Sequence, residues 1–354
     1  MSRQRALVVD DSPTVRHRIA EVLSAQADFE VVGQAEDGKQ AIELCLSLRP
    51  DVITLDMAMP GMSGLSATEY IMAYCPTPIL IVSSSTNRGE LFKMYEALAA
   101  GAVDVLEKPD GGETDLAWEA KLVGTLRIIS RIKVITHLRA RTGRAAAGAP
   151  PILAPRVPAG WVFRAIFMGA STGGPGAVRE ILMGLPRDFS LSIVLVLHIG
   201  KTFNSALAEW LDAESPIRVA FATHGQALPG PEPGQARVLL APPDRHLVLR
   251  EGRLWLEDTP ELHSCRPSVD RLFASAAGEL GPQAAGVLLT GMGRDGAEGL
   301  LAMRGAGAMT VAQDEATSVV YGMPREALAL GAVDRGLPLG EIASLVRGLD
   351  RGPS

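Results

Sequence analysis

Three side chains set far apart along the chain have the chemistry for acyl transfer: Ser171, His198 and Asp295. A serine hydroxyl is a weak nucleophile until a base takes its proton, and a carboxylate behind an imidazole base fixes its tautomer. Ser171 stands in FMGASTGGPGAV (167–178), His198 closes the apolar run SIVLVLH, and Asp295 lies in LLTGMGRDGAEGL (288–300). Glycines in that last segment permit close backbone approach, which makes the amides near Met292 and Gly293 candidate oxyanion donors. Of the other histidines, His17 and His137 fall outside the second half of the chain. His224, His246 and His263 lie in polar or turn-rich segments with no strand end to fix them.

A second set lies nearer the N-terminus: Asp10, Asp11 and Asp56, with Ser83 and Lys108. Three carboxylates sharing one crevice repel unless a hard cation sits among them, and Mg²⁺ with oxygen ligands suits such a place. A hydroxyl and an ammonium at the same rim suit phosphoryl oxygens, and Asp56 would be the nucleophile that forms an acyl phosphate. Taken singly, the acidic pair and Asp295 could each be no more than helix caps, and an asparagine would replace a mere cap harmlessly.

These positions matter only if the fold brings them together. Short apolar runs at 6–10, 29–33, 51–56, 78–83 and 102–108 alternate with amphipathic stretches, which predicts a parallel sheet covered on both faces by helices. After Trp161 the pattern resumes, with strands expected at 162–169, 191–198, 238–241, 286–290 and 309–313. Ligands of such sheets gather at the carboxyl ends of the strands, where both sets fall. Residues 116–139 predict one long amphipathic helix, basic in its second half, and 141–160 a Gly/Ala/Pro-rich linker. The expected domains are 1–125, a helix and linker over 126–160, and 161–350.

Chain order limits the chemistry. G-x-S-x-G at 169–173 spells a hydrolase elbow, but Ser171 follows only one strand of its domain and the order is Ser, His, Asp, so this is not the α/β-hydrolase fold. GASTGG lacks the lysine of a P-loop and the spacing of a dinucleotide fingerprint. A net charge of −6 and the absence of a helix-turn-helix pattern argue against nucleic acid. No stretch approaches the roughly 20 apolar residues of a membrane span. The N-terminal apolar run is too short for a secretion signal, so a cytoplasmic protein is expected. Cys45, Cys75 and Cys265 are far apart in sequence and show no paired metal spacing.

VVDDSPTVR, LDMAMPGMSG, IVSSST and EKP (107–109) resemble the receiver domain of bacterial two-component response regulators. The resemblance implies a flavodoxin-like fold and Mg²⁺-dependent phosphorylation of Asp56 by a histidine kinase. Asp10 and Asp11 would hold the metal with the Ala58 carbonyl, while Ser83 and Lys108 read the phosphoryl group. Ala58 and Val105 replace a polar and an aromatic residue common in that family. GASTGGP, APPDRHL, RPSVDRLFASAA, LTGMGRDGA and AQDEATSVVYGMPREAL resemble the CheB methylesterase family. That implies a second doubly wound domain and a serine hydrolase acting on methyl-esterified glutamates of chemoreceptor cytoplasmic domains, often with glutamine deamidation. Ser171 would be nucleophile, His198 base and Asp295 its orienting partner, aided by Thr172 and the Met292 amide, with no cofactor in the hydrolase site. Here LHIGKTFNSALAEWL departs from the glutamine- and proline-bearing version common after the histidine.

Overall fold

The computed structural model describes residues 3–84, 87–108, 115–132, 162–232, 234 and 236–350. Contacts divide the chain into two units, residues 1–148 and 149–354. The predicted linker at 141–160 lies outside the described residues.

The first unit holds strands β1 (Gln4–Val9), β2 (Phe29–Ala35), β3 (Val52–Leu55), β4 (Ile79–Ser83) and β5 (Asp104–Glu107), all parallel, in the order β2-β1-β3-β4-β5. The expected doubly wound, flavodoxin-like sheet is present. Residues 52–55 and 79–83 are buried throughout, so these strands read as continuous apolar runs. Helices α1 (Pro13–Ser24), α2 (Gly38–Leu48), α3 (Gly64–Tyr74) and α4 (Arg88–Ala99) connect them. Local capping starts α2, where the Asp37 side chain accepts from Gln40 N–H at 2.8 Å.

The closing helix, α5 (Asp115–Ile129), continues past residue 125. It buries Leu122, Val123, Leu126 and Ile129 and pairs Arg127 with Asp28 at 2.6 Å. Its described span ends at Ile129, and residues 133–139 of the expected 116–139 helix lie outside the described residues. Sequence distance also misleads for two cysteines. Cys45 and Cys75 meet inside this unit with sulfurs 3.1 Å apart, both free thiols, and burial pushes the Cys45 thiol up to about 12.

In the second unit, β6 (Ala165–Ala170), β7 (Ser192–Leu197), β8 (Arg218–Phe221), β10 (Arg237–Leu240), β13 (Ala284–Leu288), β14 (Met309–Gln313) and β15 (Arg335–Leu337) form a seven-stranded parallel sheet. Its order is β15-β14-β13-β6-β7-β10-β8. Every expected strand is present, shifted by up to three residues. The two edge strands β8 and β15 are additions, as is a small antiparallel sheet of β11 (His246–Arg250), β12 (Arg253–Glu257) and β9 (Gln226–Ala227). Helices α6 (Gly174–Met183), α7 (Lys201–Glu214), α8 (Val269–Leu280), α9 (Ala297–Gly305), α10 (Met323–Ala329) and α11 (Leu339–Leu349) complete it. From β6 the chain steps to β7 on one side, and β13 later takes the other side. That reversal opens a crevice at the carboxyl ends of β6 and β13.

Candidate active site

Ser171 follows β6 at this crevice. Its N–H donates to Thr290 O (3.0 Å), and Gly174 N–H donates to Ser171 O (2.7 Å), closing a tight turn into α6. Gly173 makes the turn possible with φ +76, and the Val319 side chain lies 2.5 Å from where a Cβ would stand. A Cβ on Gly291 would lie 2.8 Å from Ser171 Cβ, so only glycine lets the β13 loop reach the serine. Thr290 ties the neighbouring segments: its hydroxyl donates to Thr172 O (3.0 Å) and accepts from Val320 N–H (2.9 Å). Thr172 is buried and Met292 is exposed at the rim. The Met292–Gly293 backbone packs on Gly322, where a Cβ would be 3.2 Å from Gly293 N.

His198 follows β7, and its N–H donates to Ala170 O (3.0 Å), placing it beside the strand end that carries Ser171. Its Nε2 lies 3.0 Å from Asp295 Oδ2, an ion-pair distance, although the N–H is not aligned along that line. Among the described residues no hydrogen bond joins Ser171 Oγ to His198. The structure thus brings His198 and Asp295 into contact and sets Ser171 on the adjoining strand end.

Asp295 does more than a local cap. Its Oδ1 accepts from Ser268 Oγ (2.7 Å) and Asp270 N–H (3.0 Å), and its Oδ2 from Val269 N–H (2.7 Å). The carboxylate sits on the N-terminus of α8, not of the helix that follows it in sequence, where exposed amides and the helix dipole favour an anion. Burial raises its pKa, but His198 and these donors outweigh that and hold it below the usual carboxylate range. Asp270, beside it, is pushed up to about 6, chiefly by burial and also by the Asp295 charge.

Burial disfavours the His198 cation, yet Asp295 and Cys265 overcome that and raise its pKa to about 9 from 6.5. The folded protein therefore binds this proton more tightly than the unfolded chain. The group stabilises the fold fully below about pH 6.5, and that contribution is lost as pH rises through about 9. If His198 acts as base, only its neutral form works, so kcat/KM should climb roughly tenfold per pH unit from 7 and level off near 9. A pH–rate profile checks this; a plateau already reached at pH 7 contradicts it.

Sequence patterns did not point to Cys265, whose Sγ lies 3.9 Å from His198 Nδ1, nor to Ser268, Thr290 and Gln313, which hold the loops around the site. Ser268, Thr290 and Gln313 stand inside RPSVDRLFASAA, LTGMGRDGA and AQDEATSVVYGMPREAL, and Cys265 is a nucleophilic residue two positions after His263, so each carried some signal.

The first unit gathers its set as expected. Asp10 and Asp56 are buried at the ends of β1 and β3, and Asp11 beside them is exposed. One carboxylate oxygen from each lies within 4.8 Å of the others. Lys108 Nζ is 2.8 Å from both Asp10 Oδ2 and Asp56 Oδ2, and Ser83 is buried at the end of β4. Asp10 Oδ1 also accepts from Ser12 N–H at 2.9 Å, so a part in starting α1 coexists with the cluster. Burial raises the Asp10 pKa, with Lys108 opposing and Asp56 adding to it. Burial disfavours the Lys108 ammonium, but the two carboxylates more than compensate and raise its pKa. Lys108→Met should cost about 3–5 kcal/mol, because two buried carboxylates lose their cation. Chemical denaturation in chelator measures it; an unchanged midpoint contradicts it, and added Mg²⁺ should restore part of the loss.

Fold and geometry define a response regulator: an α/β receiver followed by a doubly wound output domain that carries Ser171, His198 and Asp295 on one rim. Residues 6–116 match the response regulator receiver domain, and residues 166–346 match CheB methylesterase. The chain is 46% identical over 348 residues to protein-glutamate methylesterase/protein-glutamine glutaminase 2 of Anaeromyxobacter dehalogenans, covering 98% of this chain and 97% of that one. It is 40% identical over 349 residues to protein-glutamate methylesterase/protein-glutamine glutaminase 4 of Geobacter metallireducens, covering 98% of each. Among solved structures it is similar to the Thermotoga maritima CheB methylesterase catalytic domain, at 33% identity and a TM-score of 0.49, over 53% of this chain and 98% of that one. The chain belongs to the CheB methylesterase family.

Proposed function

We propose that this protein is a phosphorylation-activated serine hydrolase that removes methyl esters from glutamate side chains of chemoreceptors and deamidates glutamine side chains. The observation that carries the reading is His198 held between Asp295 and the strand end that bears Ser171. Ser171 Oγ attacks the ester carbonyl as His198 accepts its proton at the nitrogen turned away from Asp295. Amides at Met292 and Gly293 receive the oxyanion, supported by Thr172. Collapse breaks the carbonyl–oxygen bond, and the methoxide leaves as methanol with the proton from His198. Water, activated by the same imidazole, then releases the glutamate from the serine. A primary amide enters the same cycle and leaves as ammonia.

Asp56 is the phosphorylation site and a chemosensory histidine kinase the donor. The receiver carboxylates fit Mg²⁺: they offer hard oxygens, and the buried Asp10 Oδ2 makes no aligned hydrogen bond. Asp10, Asp11 and Asp56 would hold the ion, which neutralises charge on phosphoryl oxygens when bound. Lys108 and Ser83 orient the phosphoryl group. No helix among the described residues is long and apolar enough to cross a membrane, and we place the protein in the cytoplasm with receptor cytoplasmic domains as substrate.

The test is methanol release by the full chain with and without a small phosphodonor and Mg²⁺. Acceleration of about 5–150-fold is expected, the range of ordinary allosteric coupling, and it should vanish in Asp56→Asn. Acceleration that persists in that variant overturns the phosphorylation link.

A further inference from the structure

The proton relay leaves one reactive group at the site without a task. Cys265 is half-buried, comes from the segment before α8, and faces His198 Nδ1 at 3.9 Å. On the other edge of the ring, Nε2 approaches Asp295 Oδ2 at 3.0 Å but is buried without an aligned hydrogen bond. Asp295 has one direction left. Of about four acceptor sites on a carboxylate, three are filled by Ser268 Oγ, Val269 N–H and Asp270 N–H. The remaining one belongs to Oδ2, the oxygen facing His198. Thiol, imidazole and carboxylate each bring a ligand atom within 4.8 Å of the other two. Ligands at about 2.0–2.3 Å around a tetrahedral ion stand roughly 3.3–3.7 Å apart, so the set closes once the imidazole turns one of its nitrogens toward both the thiol and the carboxylate.

We propose that His198, Cys265 and Asp295 form a binding site for a thiophilic divalent cation, zinc above all, and that its occupation switches off hydrolysis. The inhibition half rests on His198 being the base. Sulfur, nitrogen and oxygen together are a zinc ligand set, and three protein ligands leave the fourth position to water or substrate. The thiol loses its proton to solvent as the metal–sulfur bond forms. The imidazole lone pair goes to the metal, so it cannot accept the Ser171 proton. Mg²⁺ gains little from thiolate and imidazole, so the ion suited to the receiver does not compete here.

The test uses the full chain in excess Mg²⁺, which occupies the receiver carboxylates, titrated with Co²⁺ and then Zn²⁺. Co²⁺ should produce a near-ultraviolet thiolate-to-cobalt charge-transfer band that Zn²⁺ abolishes. Cys265→Ser and Cys265→Ala should both lack the band. Their zinc affinity should fall by more than the roughly 10–100-fold that losing an outer-shell partner costs. Measured against each protein's own metal-free rate, zinc should stop methanol release by the unmodified chain and spare both Cys265 variants. A band that survives in both variants assigns the metal to Cys45 and Cys75 and overturns the site, as does equal zinc sensitivity of all three proteins. Zinc binding lost in His263→Gln but kept in the Cys265 variants moves the metal to the neighbouring His263, Asp270 and Glu298 group and also overturns it. Ser171→Ala should keep the band, its hydroxyl being no ligand. Methanol release by Ser171→Ala would undo the serine reading and leave the metal site standing.

Discussion

Ser171→Ala is expected to lower methanol release by about 10⁴- to 10⁶-fold while leaving the fold intact. The side chain lost is one hydroxyl in a turn whose hydrogen bonds are made by the backbone, Ser171 N–H to Thr290 O and Gly174 N–H to Ser171 O. Alanine keeps those bonds and the Cβ that packs against Gly291. Stability should therefore change by less than about 1 kcal/mol, while the hydroxyl assigned the attack on the ester disappears. Kinetics with a methyl-esterified receptor peptide check the rate. Acid quenching followed by mass analysis should find an acyl adduct on the peptide carrying Ser171, and none in the alanine variant. An adduct elsewhere, or near-normal turnover, removes Ser171 from its role.

Asp295→Asn is the second large effect, and here the structure changes the expectation. A carboxylate that only capped a helix would accept asparagine without loss. Asp295 instead takes three donors on two oxygens and still faces His198. An amide has one oxygen, so its NH₂ must point at a backbone N–H or at the imidazole. If it takes the Oδ2 place it faces the imidazole and the Val269 N–H at once, so the wrong tautomer is favoured, that amide loses its acceptor, and activity should fall by about 10⁴-fold. If it takes the Oδ1 place it faces the Asp270 N–H, and a buried donor goes unpaired at a cost of about 1–3 kcal/mol with the imidazole still facing oxygen. Either way the variant loses, and the two outcomes separate by measuring rate and denaturation together. An Asn variant that is both active and fully stable contradicts the arrangement.

The parts of the site that were legible in the sequence share one cause. Parallel strands buried on both faces are continuous apolar runs, so their carboxyl ends can be read, and with them Asp10, Asp56, Ser83, Ser171 and His198. The β11–β12 hairpin escaped because His246, Leu247, Val248 and Leu249 are all buried, which erases the alternation of a half-exposed strand. Its turn at Glu251–Gly252, both at positive φ, was the remaining signal. The edge strands β8 and β15 are only four and three residues long. What surrounds Asp295 was illegible for a different reason. Its donors come from residues 268–270, more than 20 positions away, and Cys265 reaches His198 across 67 positions. No local pattern encodes such meetings; they exist only once α8 has packed beneath the end of β13.

The most direct measurement is methanol released from membranes that carry methyl-esterified chemoreceptors, using the full chain, Mg²⁺ and a small phosphodonor. One methanol is expected for each ester lost, and none with Ser171→Ala. No methanol from a folded chain shown to be phosphorylated on Asp56 would contradict the proposed function.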